Sequence, residues 1–127
     1  MKLTDLLSLC QTTAYTKELF EEKDIKFAFC SDLMSDALVI MNSVKDKKIL
    51  EKTLLITGLA TQQSIRTAEM LDVGVVLLVR GKIPSEKVIQ LAYESNIQLY
   101  STDLTMFNTS GMLYQLGIKG VKYDIQW

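Results

Sequence analysis

Three polar stretches, each directly after an apolar run, hold the side chains that could do chemistry: Thr57-Gly58-Leu59-Ala60-Thr61-Gln62, Arg80-Gly81-Lys82 and Ser101-Thr102-Asp103. If the apolar runs are parallel strands, these stretches share the carboxyl edge of one sheet, where open α/β sheets bind their ligands. The chemistry offered there is anion binding. The Gly58 loop leads into a helical stretch whose first amides carry unpaired hydrogens and partial positive charge, suited to phosphate or carboxylate. Arg80 and Lys82 add full charge, and Arg66 is a further candidate on the same helical stretch. The competing reading is that Gly58 only lets the backbone turn. The expected ligand-binding set is Thr57, Gly58, Thr61, Gln62, Arg80, Gly81, Lys82, Ser101 and Thr102.

A second polar cluster, Ser31, Asp32, Ser35 and Asp36, follows another apolar run. Two carboxylates four positions apart on a helix share a face and could hold magnesium through water. Capping by Ser31 or Asp32, with Asp36 exposed, is the simpler expectation, and no metal site is assigned.

Several reactions drop out. The chain has no histidine, which removes the commonest general base, the usual serine or cysteine triad and most zinc sites. It lacks both G-x-x-x-x-G-K-[ST] and G-x-G-x-x-G, the common nucleotide loops. An iron–sulfur cluster normally needs four cysteines and this chain has two, so no cofactor is expected. No residue is assigned as catalytic.

The elements that must position these residues follow from hydrophobic spacing. Thr53 to Thr57 and Val75 to Val79 are short, nearly continuous apolar runs, the pattern of strands covered on both faces. Ile25 to Cys30 and Ile97 to Tyr100 read as further strands. Helical spacing marks Lys2 to Leu9, with Thr4 and Asp5 as caps, and Leu33 to Met41. It also marks Gln62 to Leu71 behind Thr61, Ser85 to Ser95 with Pro84 near its start, and Asp103 to Leu116 behind Thr102 or Asp103. Gly117 should stop the last helix. Strands separated by helices cannot be hairpins and should run parallel through crossovers. The expected fold is a layered α/β/α domain with a mostly parallel sheet. Thr12 to Lys23 shows only polarity, and the alternating tail from Val121 to Trp127 is expected to add an edge strand or cover a partner subunit.

A chain of 127 residues is the size of one domain, and one of that length buries roughly two-thirds of its unfolded surface. A formal net charge of −1 gives no global pull toward nucleic acid or anionic lipid. Lys45 to Lys52 interleaves its lysines with Asp46 and Glu51, as a solvated face does. No apolar run is long enough to cross a bilayer, and the start lacks the core of a signal peptide, so a cytoplasmic protein is expected. Cys10 and Cys30 then read as two buried, reduced thiols.

Four segments in register carry a family resemblance: Asp32-Leu33-Met34-Ser35-Asp36-Ala37-Leu38, Leu55-Ile56-Thr57-Gly58, Val79-Arg80-Gly81-Lys82-Ile83-Pro84, and Leu99-Tyr100-Ser101-Thr102-Asp103-Leu104-Thr105-Met106-Phe107. In that order they resemble the DRTGG domain, a family similar in fold to the amino-terminal domain of HPr kinase/phosphorylase. The family also occurs inside some phosphotransacetylases and between CBS domains of regulatory pyrophosphatases. The sequence departs from the namesake residues. Ala60-Thr61-Gln62 stands where an acidic–basic pair is frequent, and Arg80-Gly81-Lys82 where Thr-Gly-Gly is typical. The resemblance implies a non-catalytic regulatory or assembly role, often with dimerisation. The functional expectation is a homodimeric sensor of a small anionic ligand, such as a nucleotide, that passes its state to a protein partner. The alternatives are a ligand-free adaptor whose contact is the tail ending in Trp127, and a small enzyme using Asp32 or Asp36 with Lys82.

Overall fold

The computed structural model describes residues 1–121. Its elements in chain order are α1 (Leu3–Leu9), β1 (Thr13–Ala14), a single 3-10 turn (Lys17–Leu19), β2 (Phe27–Cys30), α2 (Met34–Asn42) and α3 (Lys48–Glu51). There follow β3 (Thr53–Thr57), α4 (Gln62–Met70), β4 (Val75–Leu78), α5 (Glu86–Glu94), β5 (Gln98–Ser101), α6 (Met106–Gln115) and β6 (Lys119–Gly120). The six strands form one sheet in the order β1-β5-β4-β3-β2-β6. All pairings are parallel except β1 with β5. The fold is the mostly parallel α/β architecture expected from the strand–helix rhythm.

Every residue of β3, β4 and β5 is buried, which explains the nearly unbroken apolar character of β3 and β4. Side chains alternate between two cores. Leu55, Val76, Leu78 and Leu99 pack with Met34, Ile65, Ala68, Val88 and Ala92 from α2, α4 and α5. Leu54, Ile56, Val75, Leu77 and Tyr100 pack with Leu3, Leu6 and Leu113 from α1 and α6. The register places Ile56, Leu77 and Tyr100 side by side across β3, β4 and β5.

Two buried polar arrangements fasten the start of the chain to this frame. The Thr16 hydroxyl accepts from the Leu99 amide at 3.0 Å, and the Tyr15 and Ser101 hydroxyls lie 2.9 Å apart. Glu22 caps α1 from a distance. Its carboxylate accepts from the Thr4 hydroxyl at 2.6 Å and the Thr4 amide at 3.1 Å, bonds that hold its pKa below the usual glutamate range.

Tyr100 is buried, and loss of hydration, followed by the charge of Glu22, pushes its phenol pKa up to about 12 from 10.0. The folded pKa is raised, so this contribution is complete below the unfolded value and fades as pH rises from about 10 toward 12. At 1.36 kcal/mol per unit, roughly 3 kcal/mol is at stake. Urea unfolding of Tyr100→Phe between pH 9 and 11.5 should show a flatter alkaline fall than the parent. Equal slopes would mean that the buried phenol does not govern that limb.

Several boundaries differ from the sequence reading. The polar stretch from Thr12 to Lys23 contains β1 and the 3-10 turn, both too short to show a period. The Lys45–Lys52 segment contains α3, with Leu50 buried beneath its lysines. Helix α2 starts after Leu33, whose N-cap position has no side-chain bond. Ser31 instead closes a local turn, its Oγ accepting from the Leu33 amide and donating to the Leu33 carbonyl. Thr61 occupies the N-cap position of α4 but makes no capping bond, and neither Thr4 nor Asp5 stands at the N-cap of α1, which is Lys2. Helix α6 begins later than expected, behind Thr105, whose Oγ accepts from the Asn108 amide. Gly117 follows that helix with φ +101°, as a stop signal requires. Cys10 is buried, but Cys30, expected to be buried, is exposed at the end of β2. Burial raises the Cys10 thiol pKa. Of the tail, Val121 is buried against the first core, and the expectation for the remainder falls on residues outside those described.

Candidate functional site

Parallel pairing of β2 with β3 brings Ser31 and Asp32 to the same sheet edge as Thr57-Gly58. Thr57 is fully buried in β3 and Gly58 after it is buried as well, the chain emerging at Leu59 and Ala60. At Gly58 the Asp32 carboxylate meets the chain: Oδ1 accepts from the Gly58 amide at 2.6 Å and the Thr57 hydroxyl at 3.3 Å. The same hydroxyl accepts from the Leu59 amide at 3.1 Å, and Ser64 donates to the Leu59 carbonyl at 2.5 Å, tying the loop to α4. The other Asp32 oxygen lies 3.8 Å from Arg80 Nη2, each side chain half exposed.

Arg80 is held over Gly58 by its backbone. Arg80 and Gly81 both have positive φ, +63° and +66°, a conformation that side-chain-bearing residues adopt at a cost. Two long-range bonds impose it: the Arg80 amide donates to the Leu104 carbonyl at 2.8 Å and the Gly81 amide to the Thr102 carbonyl at 2.9 Å. The guanidinium then lies so close to Gly58 that a Cβ there would stand 2.4 Å from Nη2. At Gly81 a Cβ would meet Asp103 Oδ1 at 3.1 Å. Gly58 therefore admits the arginine, a demand invisible in the loop's own residues, whereas its own φ is not positive and the turn does not require a glycine there.

The structure thus assembles Asp32, Gly58 and Arg80, with exposed Lys82 two residues after Arg80. It separates other candidates from that group. Thr102 is buried, its hydroxyl donating to the Cys10 carbonyl at 2.7 Å and accepting from the Leu104 amide at 3.3 Å. Ser101 is buried beside Tyr15. Thr61 is exposed, and Gln62 lines a surface groove with Arg66, Lys87 and Gln90 of α4 and α5. Ser35 and Asp36 are exposed on the first turn of α2, whereas Asp32 precedes that helix; the shared helical face supposed for two carboxylates does not form. Among the described residues no cluster of three or more Asp, Glu, Cys or His side chains could hold a metal.

Sequence reasoning missed two features. One is the Asp32–Arg80 ion pair, which joins residues far apart in the chain and leaves no local signal. The other is an apolar concavity of about 110 Å³ between β2, α6 and β6, lined by Ala28, Cys30, Ile56, Leu113 and Tyr114. Helix α6 beside it exposes Phe107 and Tyr114, 83% and 74% accessible, flanking Gly111, where a Cβ would meet nothing. Among the described residues no helix is long and apolar enough to cross a membrane.

The fold has a solved counterpart. The structure of the CBS and DRTGG domains of the regulatory region of Clostridium perfringens pyrophosphatase, complexed with the activator diadenosine tetraphosphate, matches with a TM-score of 0.61 and 19% identity. The match covers 89% of this chain and 46% of that one, so this chain spans about half the neighbour's length. At that identity the likeness is one of fold, and it agrees with the DRTGG-like architecture that the four sequence segments imply. No protein-family model and no curated protein matches the chain.

Proposed function

We propose that this chain is a single, non-catalytic regulatory domain that senses a small anionic ligand, of which a nucleotide is the leading candidate, at the Gly58–Arg80 edge. The observation carrying this reading is a cation over a glycine: Arg80 is held in a strained turn with its guanidinium against Gly58. Strained backbone of this kind persists where surrounding structure over-determines it, and it clusters at ligand clamps. Lys82 adds a second charge, while buried Thr57, Ser101 and Thr102 supply the frame. The fold neighbour supports the choice of ligand class, since it is a regulatory region complexed with a dinucleotide activator. The setting proposed is the cytoplasm.

A thermal-shift screen against nucleotides, dinucleotides and inorganic polyphosphates tests the proposal. A ligand at a hundred times its Kd should stabilise the fold by about 2.7 kcal/mol, and Lys82→Ala should reduce the shift. A flat screen would favour the second reading, a protein-interaction domain. That reading rests on α6, whose exposed Phe107 and Tyr114 suit a contact with a second copy or another protein.

A further inference from the structure

Asp32 is hydrogen-bonded to one of the groups that an incoming anion would need and ion-paired at longer range with the other. One oxygen takes the Gly58 amide at 2.6 Å, and the other faces Arg80 Nη2 at 3.8 Å. A ligand phosphate at this edge would seek the same amide and the same guanidinium, because charge-assisted bonds to these donors are the strong ones available. We propose that Asp32 is a built-in competitor, a latch that fills the anion site until a ligand of higher charge displaces it. The inference rests on the anion-sensing reading above and adds its regulation and ligand class.

Two consequences follow from the geometry. A carboxylate already in place sets a threshold. A monoanion offers no more charge than Asp32, whereas a di- or triphosphate can replace it and also meet Lys82. The preferred ligand is therefore a polyphosphate or polyphosphate ester. Displacement also has a structural output. Asp32 lies between β2 and α2, next to the turn in which Ser31 bonds Leu33, so releasing its grip on Gly58 removes one of the tethers of the β2–α2 connection and leaves the Ser31 amide on the Ile56 carbonyl as the other. A ligand that binds better when this connection is free shifts the population toward that state.

Asp32→Asn separates competition from folding, because its amide oxygen can still accept from the Gly58 amide while the charge is gone. Calorimetric titration with inorganic tripolyphosphate and with ATP should show affinity roughly two- to fivefold higher than in the parent, a modest gain because the Asp32–Arg80 pair is half exposed and screened. The gain for the monoanions acetate and formate should be larger in proportion, narrowing the preference for polyphosphate. Glu69→Gln, which removes one charge near the other end of α4, controls for net charge and should change neither. If Asp32→Asn is poorly folded, Asp32→Ser serves instead, removing the carboxylate while keeping a short acceptor.

Unchanged affinity in Asp32→Asn with a binding parent overturns the latch and leaves the sensing reading standing. An equal gain in Glu69→Gln also overturns it, in favour of diffuse electrostatics. Binding in neither parent nor variant overturns both readings. Binding only in the variant supports the latch in its strongest form.

Discussion

Leu77→Ala should lower the free energy of unfolding by about 2–5 kcal/mol, the range for truncating a fully buried leucine. Leu77 has no accessible surface and sits mid-strand in β4, with Ile56 and Tyr100 as its register neighbours and Leu3, Leu6 and Leu113 in the same cluster. The backbone of a central parallel strand is bonded on both sides and cannot collapse far into the vacated space. A native domain is stable by about 5–15 kcal/mol, so this single change could consume a third or more of the reserve. Urea unfolding should show a lower midpoint with an unchanged slope. A loss under about 1 kcal/mol would mean that the centre of the sheet is not packed as described.

Arg80 should divide binding from folding. Both Arg80→Ala and Arg80→Gly should abolish the roughly 2.7 kcal/mol of stabilisation given by a polyphosphate at a hundred times its Kd, because both delete the guanidinium. Their unliganded stabilities should differ. Alanine keeps a left-handed residue with a Cβ, whose cost is about 1–2 kcal/mol, while glycine removes that cost and gives back about 0.4–1 kcal/mol through the freer unfolded chain. Arg80→Gly should thus be the more stable variant by up to about 1.6 kcal/mol, as thermal melting without ligand would register. If Arg80→Gly melts below Arg80→Ala, the turn is not strained and Arg80 is not held as a clamp.

Which features could be read from the sequence depended on the range of the forces that shape them. The bounds of β3 match the reading and those of β4 nearly so, because burial on both faces writes an apolar run into consecutive residues. Helix α5 was legible from the helical spacing of its apolar residues behind Pro84, and the structure adds Ser85 as its cap, accepting from the Val88 amide at 3.3 Å. The start of α6 was not, because Thr102 is drawn into the core by the Cys10 carbonyl and cannot cap a helix. Strand β1 was invisible, its two residues held by pairing with β5. At the candidate site, local sequence marked Gly58, Arg80 and Lys82 as a possible anion edge. That Asp32 lies across the Gly58 amide, and that the Arg80 turn is stapled to Thr102 and Leu104, depends on contacts between distant segments.

The two outermost strands of the sheet are each two residues long as described, β1 beside β5 and β6 beside β2. So short a rim offers few unpaired backbone groups for another chain to extend, and exposed Lys119 places a charge on one of them. The long, fully buried strands that would template cross-β growth are kept away from the margins. Among the described residues, association at high concentration should therefore proceed through helix surfaces rather than by extension of the sheet.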